Sequence, residues 1–137
     1  MTTSKLVHAA FFVGLVASAC AYASEDVAIC GAKAAPKDFL GKHVSFRGKI
    51  LSDGMHLTLA MPDSCPNEGY GVFRGDVRDD PASIIQTAVM QIGSPGTGHK
   101  EIAVDLDADI VELGNGRIGV RITKLNHMVL TYPTSNP

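Results

Sequence analysis

Asp105, Asp107 and Asp109 recur at every second position, the spacing that sets three carboxylates on one face of a β-strand. Three acids so placed could hold a divalent cation. A calcium loop with this spacing turns at a glycine directly after its third acid, whereas Ile110 follows here and the alternation continues. The expectation is therefore a solvated outer face, with Asp109 balanced by Arg121 across a hairpin and no metal bound. His43, His56, His99 and His127 do not form a pair spaced for zinc, such as i and i+4 on a helix. Gly114, Gly116 and Gly119 spell the dinucleotide fingerprint as text. They join two strands, however, where the fingerprint must open a helix whose N-terminus holds the pyrophosphate. The run from Gly93 to Lys100 nearly spells a phosphate-binding loop but carries His99 where the lysine belongs. No Gly-x-Ser-x-Gly elbow is present, and no cofactor motif survives. An enzyme would have to assemble its site from scattered residues such as Asp105, Asp107 and His127.

The cysteines depend on how the first residues are read. Lys5 is the only charge before residue 25, and a mostly apolar run from Leu6 to Ala19 follows it. Ala21-Tyr22-Ala23 then gives the small-x-small pattern that a leader peptidase pocket accepts, so residues 1–23 read as a secretion signal. The run is shorter than the roughly 20 apolar residues of a membrane span. Val16 to Cys20 offers an alternative, since it loosely matches the lipobox in which the cysteine becomes a lipidated first residue. Ala17 stands where leucine is usual. Cleavage after Ala23 frees the protein into the periplasm or cell envelope. Lipidation of Cys20 would tether it, and because Ala21 follows in place of Asp, the tether would lie in the outer membrane. Either way Cys30 and Cys65 remain, and two thiols in an oxidising compartment are expected to pair.

Without residues 1–23 the formal charge of −2 becomes −3, because Lys5 is lost and every acid is kept. Such a balance gives no basic footprint for nucleic acid. The aromatic residues beyond residue 23 are only Phe39, Phe46, Tyr70, Phe73 and Tyr132, too few for a base-stacking platform.

The chain after the signal is long enough for one domain, placed at residues 24–132, with a disordered tail at 133–137. A helical turn near Pro36 to Leu40 should end at Gly41. From Lys42 the period is two, with Val44, Phe46, Gly48 and Ile50 on one side. Asp53-Gly54 signals a two-residue turn, which would face Ile50 with Leu57 and Phe46 with Met61. Tyr70 to Arg74 reads as a short third strand. A helix follows, capped by Asp80 and Pro81, with Ile85, Ala88, Val89 and Ile92 on its inner face and Gly93 at its end. Two long strands close the domain, joined at Gly114 to Gly116 so that Ile110 opposes Val120 and Asp109 opposes Arg121. The apolar phase slips near Leu125, which predicts a bulge.

Three strands, one helix and two strands is the element order of the OB-fold, and the chain resembles that five-stranded Greek-key barrel over residues 42 to 130. It also resembles small exported bacterial OB-type proteins whose first strand reads Gly-Lys-x-Val-x-Phe-x-Gly, here Gly41 to Gly48. The resemblance implies an all-β fold with one helix, order β1-β2-β3-α-β4-β5, and ligand binding between the loops that join strands one and two and strands four and five. Fold alone transfers no activity. The outward positions His43, Arg47, Lys49, His56 and Thr58 of strands one and two make a mildly basic face on an acidic protein. That face suits another protein or an anionic envelope component. The expectation is a non-enzymatic binding module. Its rivals are an inhibitor or immunity-type protein of a secreted hydrolase and the scattered-site enzyme above.

Overall fold

The computed structural model describes residues 29–55, 58–74, 80–94, 96 and 98–131. The expected signal at 1–23, Cys20, His56 and the tail at 133–137 lie outside the described residues. A helical turn at residues 29–31 leads to a short helix α1, Pro36–Phe39, which Gly41 terminates with φ of 78°. Strand β1 spans His43–Ser52, β2 Thr58–Pro62 and β3 Tyr70–Val72. Helix α2, Pro81–Ile92, precedes the long strands β4, Lys100–Gly114, and β5, Arg117–Leu130.

The five strands form one sheet whose hydrogen-bonded neighbours close into a ring, β1-β2-β3-β5-β4 and back to β1. Every contact in the ring is antiparallel except β3 with β5. Alternation supplies the interior. Val44, Phe46 and Ile50 of β1 meet Ile102, Leu106 and Ile110 of β4 and Val120 and Ile122 of β5, all at most 2% exposed. Helix α2 packs against β5 and β4 through Ala82, Ile85, Ala88, Val89 and Ile92. Asp80 caps it as expected: its carboxylate accepts from the Ala82 N–H and its carbonyl from the Ser83 N–H.

Closing five strands this tightly requires backbones to approach where a side chain would stand. A Cβ on Gly48 would run into the Met61 carbonyl, and one on Gly119 into the carbonyl of Gly71, its partner across the parallel β3–β5 contact. Leu113 lies over this bare glycine pair. It can do so because the β4–β5 register slips between Glu112 and Gly114, which leaves Leu113 unpaired as a bulge beside the Asn115-Gly116 turn. Both turn residues have positive φ, 55° and 71°. The bulge preserves the parity expected for the hairpin, so Ile110 does oppose Val120 and Asp109 does oppose Arg121. Two further slips leave Thr123 and Asn126 of β5 without partners, where the apolar phase was expected to break.

One expectation fails. The β1–β2 register pairs Ser52 with Thr58, Ile50 with Ala60 and Lys49 with Met61, so the connection is five residues long. Asp53 and Gly54 do not make a two-residue turn because their polar groups have other partners. The Ser52 hydroxyl accepts from the Gly54 N–H, and the Asp53 carboxylate accepts from the Met55 N–H. The Asp53 carbonyl accepts from Gly96 in the distant α2–β4 connection. Ala60 and Pro62 therefore face inward in place of Leu59 and Met61.

The Cys30 and Cys65 sulfurs lie at bonding distance, with Cα atoms 5.8 Å apart. This bridge fastens the segment before β1 to the β2–β3 loop. Tyr70 fastens it again: its buried hydroxyl donates to the Ile29 carbonyl and lies 2.6 Å from Glu68 Oε2. Burial, with the Glu68 carboxylate alongside, pushes that hydroxyl well above its usual pKa.

Candidate binding groove

Two surfaces gather polar chemistry. The first is the outer face of β1 and β4. Antiparallel pairing sets His43 opposite Asp109, Ser45 opposite Asp107 and Arg47 opposite Asp105. The side chains follow the register, with His43 Nδ1 2.8 Å from Asp109, the Ser45 hydroxyl 2.7 Å from Asp107 and Arg47 Nε 3.4 Å from Asp105. Lys49 reaches diagonally to Glu101 at 3.1 Å. The acidic stripe and the basic stripe thus face each other as one ladder, a cross-strand arrangement that stabilises a sheet modestly. Hydrogen bonding from Ser45 holds the Asp107 carboxyl below its ordinary pKa; Asn126, Lys124 and His43 add to this and partial burial opposes it.

The ladder redistributes the residues expected to bind. His43, Arg47 and Lys49 share one outward face, each occupied by an acid of β4. Thr58 is separated from them, because it pairs with buried Ser52 and shares a 3.0 Å hydroxyl hydrogen bond with it. His56 lies outside the described residues. Arg121 sits opposite Asp109 in register, yet its guanidinium stacks 4.7 Å from the Phe73 ring while Asp109 takes His43. His127 opposes Asp105 across β4–β5 but neither lines a described cavity. Among the described residues, no group of three or more His, Cys, Asp or Glu side chains is placed to hold a metal ion.

The second surface is a groove of about 730 Å³ over β2 and β3. Leu59, Gly69, Gly71 and Val72 form its floor, Met55 and Thr58 stand on the β1–β2 side, and Leu113, Arg117 and Ile118 come from the β4–β5 hairpin. Lys33 and Pro36 close it from the segment that the disulfide holds down. The two floor glycines keep the groove deep, since a Cβ at Gly69 or Gly71 would press on Leu59 or Leu113. The observed β1–β2 register leaves Leu59 half-buried at this surface and turns Ala60 inward.

Three cations stand in this groove: Lys33, Arg74 and Arg117. No carboxylate is among the described residues that line it. Arg74 Nη2 donates to two neutral acceptors, Gln86 Oε1 at 3.0 Å and Thr58 Oγ1 at 3.4 Å, and Gln86 is itself fixed by donating to the Gly54 carbonyl. Lys33 Nζ sits 5.1 Å from the centre of the Tyr70 ring. The ion pairs among the described residues all lie on the β1–β4 ladder, so these three charges are not cancelled there. A second hollow of about 540 Å³ adjoins the groove beyond Pro36, Gly116 and Ile118. Nothing in the sequence marked Lys33, Arg74 and Arg117 as a set. They are distant in the chain and line one groove only because the ring brings the segment before β1, the residues after β3 and the start of β5 to one side.

Comparison of the chain with protein-family models, with curated proteins and with solved structures gives no match.

Proposed function

We propose that the chain is a non-enzymatic binding module of the periplasm or cell envelope, exported by the segment at residues 1–23, and that its binding surface is the groove over β2 and β3. The observation that carries this reading is the groove's composition: an apolar floor with three cations around it that form no ion pair among the described residues, on a chain of net negative charge. The pairing order β1-β2-β3-β5-β4 with a parallel β3–β5 contact supports an OB-type Greek-key barrel. In that fold, ligands bind the same strands between the same two connections. The basic residues singled out on β1 are a weaker surface, because each already faces an acid.

The test is a backbone amide map of the oxidised protein with a soluble fraction of bacterial envelope extract. Shifts confined to residues 58–59, 69–74 and 113–118 support the groove. Shifts confined to residues 43–49 and 101–109 place binding on the ladder instead, and a spectrum without changes refutes a binding role in that compartment. Intact mass of the exported protein tests the signal: a chain beginning at Ser24 is expected, and a diacylated chain beginning at Cys20 would replace the soluble reading with a tethered one.

A further inference from the structure

Resting on the groove as the binding surface, we infer that its ligand is a small amphipathic anion: a free molecule with an apolar body and one anionic head, carboxylate, phosphate or sulfonate. The apolar lining dictates the body. Leu59, Val72, Leu113, Ile118, Pro36 and Met55 offer aliphatic contact and no hydrogen bonds from their side chains. No aromatic ring is among the described lining residues, so sugar or base stacking has no platform there. The volume of about 730 Å³ falls in the range of pockets that enclose a single small molecule.

The rim dictates the head. Arg74 is held by Thr58 and Gln86, so its guanidinium is positioned before a ligand arrives and loses little freedom on binding. Lys33 is steadied over the Tyr70 ring. Arg117 is carried by the turn whose glycine also lines the groove. An anion entering here meets three donors of positive charge beside apolar walls, where attraction is screened less than on an open surface. Glu101, Asp105, Asp107 and Asp109 are engaged on the β1–β4 ladder, and Asp38 and Glu112 line the adjoining hollow, not the groove itself. A neutral ligand with the same body would leave the rim charges unanswered.

Two dyes with one skeleton separate head from body: 8-anilinonaphthalene-1-sulfonate, and N-phenyl-1-naphthylamine, which lacks the sulfonate. With the oxidised protein, the sulfonate dye is expected to bind one-to-one and to shift the amides of residues 69–72 and 113–118. Its affinity should exceed that of the neutral dye by roughly tenfold and fall with added salt. Arg74→Gln and Arg117→Gln should each weaken the sulfonate dye several-fold and leave the neutral dye unchanged, with Arg74→Lys retaining most of the binding. Unchanged thermal midpoints would show that these variants remain folded. If both dyes shift the same amides with equal affinity, the anionic head is refuted while the groove reading stands. If neither shifts them, both fall. Association only with phosphatidylglycerol vesicles, and not with free dye, would overturn the small-molecule ligand in favour of a membrane surface.

Discussion

Replacing Cys30 and Cys65 with alanine removes the covalent fastening between the segment before β1 and the β2–β3 loop. Applied to the 35-residue separation, the chain-entropy relation gives about 13 cal/mol/K, or about 4 kcal/mol at room temperature. Native contacts remain to hold the segment, because Ile29 and Ala32 are fully buried and the Tyr70 hydroxyl still donates to Ile29. A domain of this size is stable by roughly 5–15 kcal/mol, so the double variant should fold but sit close to its limit. At about 4–8 °C per kcal/mol, the thermal midpoint should fall by roughly 15–30 °C. Urea unfolding followed by circular dichroism gives the same quantity as a shift in midpoint. Reduction of the wild-type protein should reproduce it. A loss below about 1 kcal/mol with an unchanged slope would refute the reasoning, since it would mean that the bridge constrains neither the unfolded chain nor the native segment.

Gly119→Ala should break the ring where β3 meets β5, because its Cβ collides with the Gly71 carbonyl. Hydrogen exchange at the Phe73 amide, which donates to the Val120 carbonyl, should then lose protection while the β1–β4 amides keep theirs. Tyr70→Phe removes one of two donors to the buried Ile29 carbonyl, which keeps the Ala32 N–H, and should cost about 0.5–1.5 kcal/mol at neutral pH by denaturant titration. Because the folded hydroxyl ionises above the value of about 10 for an unfolded tyrosine, its contribution is complete below pH 10 and is lost above it. The wild type should therefore lose stability faster than Tyr70→Phe on the alkaline limb, and parallel limbs would contradict that. Asp107 has the opposite sign. Its depressed pKa adds stability above about pH 4 that disappears as pH falls through the folded value, so Asp107→Asn should show a shallower acid limb.

Much of the frame was legible because its signals are local. Alternation in residues 43–52 and 102–122, the Asp80-Pro81 start of α2 and the parity of the last hairpin each follow from neighbours in sequence, and the cysteine pair followed from there being two thiols left after the expected signal. The β1–β2 register was not legible. Leu59, Ala60, Met61 and Pro62 are all apolar, so either phase could face inward, and Asp53-Gly54 imitated a hairpin turn while its groups bonded to Ser52, Met55 and Gly96. The same miss displaced the expected binding face. Thr58 was counted beside Lys49, and the partners of β4's outward acidic stripe were not seen because its pairing with β1 spans about half the chain. The groove cations gave no signal, since Lys33, Arg74 and Arg117 acquire common purpose only through non-local closure.

The most direct test sets the two basic surfaces against each other with one probe. The dissociation constant for 8-anilinonaphthalene-1-sulfonate is measured for the Arg74→Gln/Arg117→Gln double variant and for the Arg47→Gln/Lys49→Gln double variant, which remove equal charge from the groove and from the ladder. If the groove is the binding surface, the first variant weakens binding by roughly tenfold or more and the second changes it less than about twofold. The reverse order would return binding to the face that the sequence first suggested, and equal losses would reduce the groove to an effect of net charge.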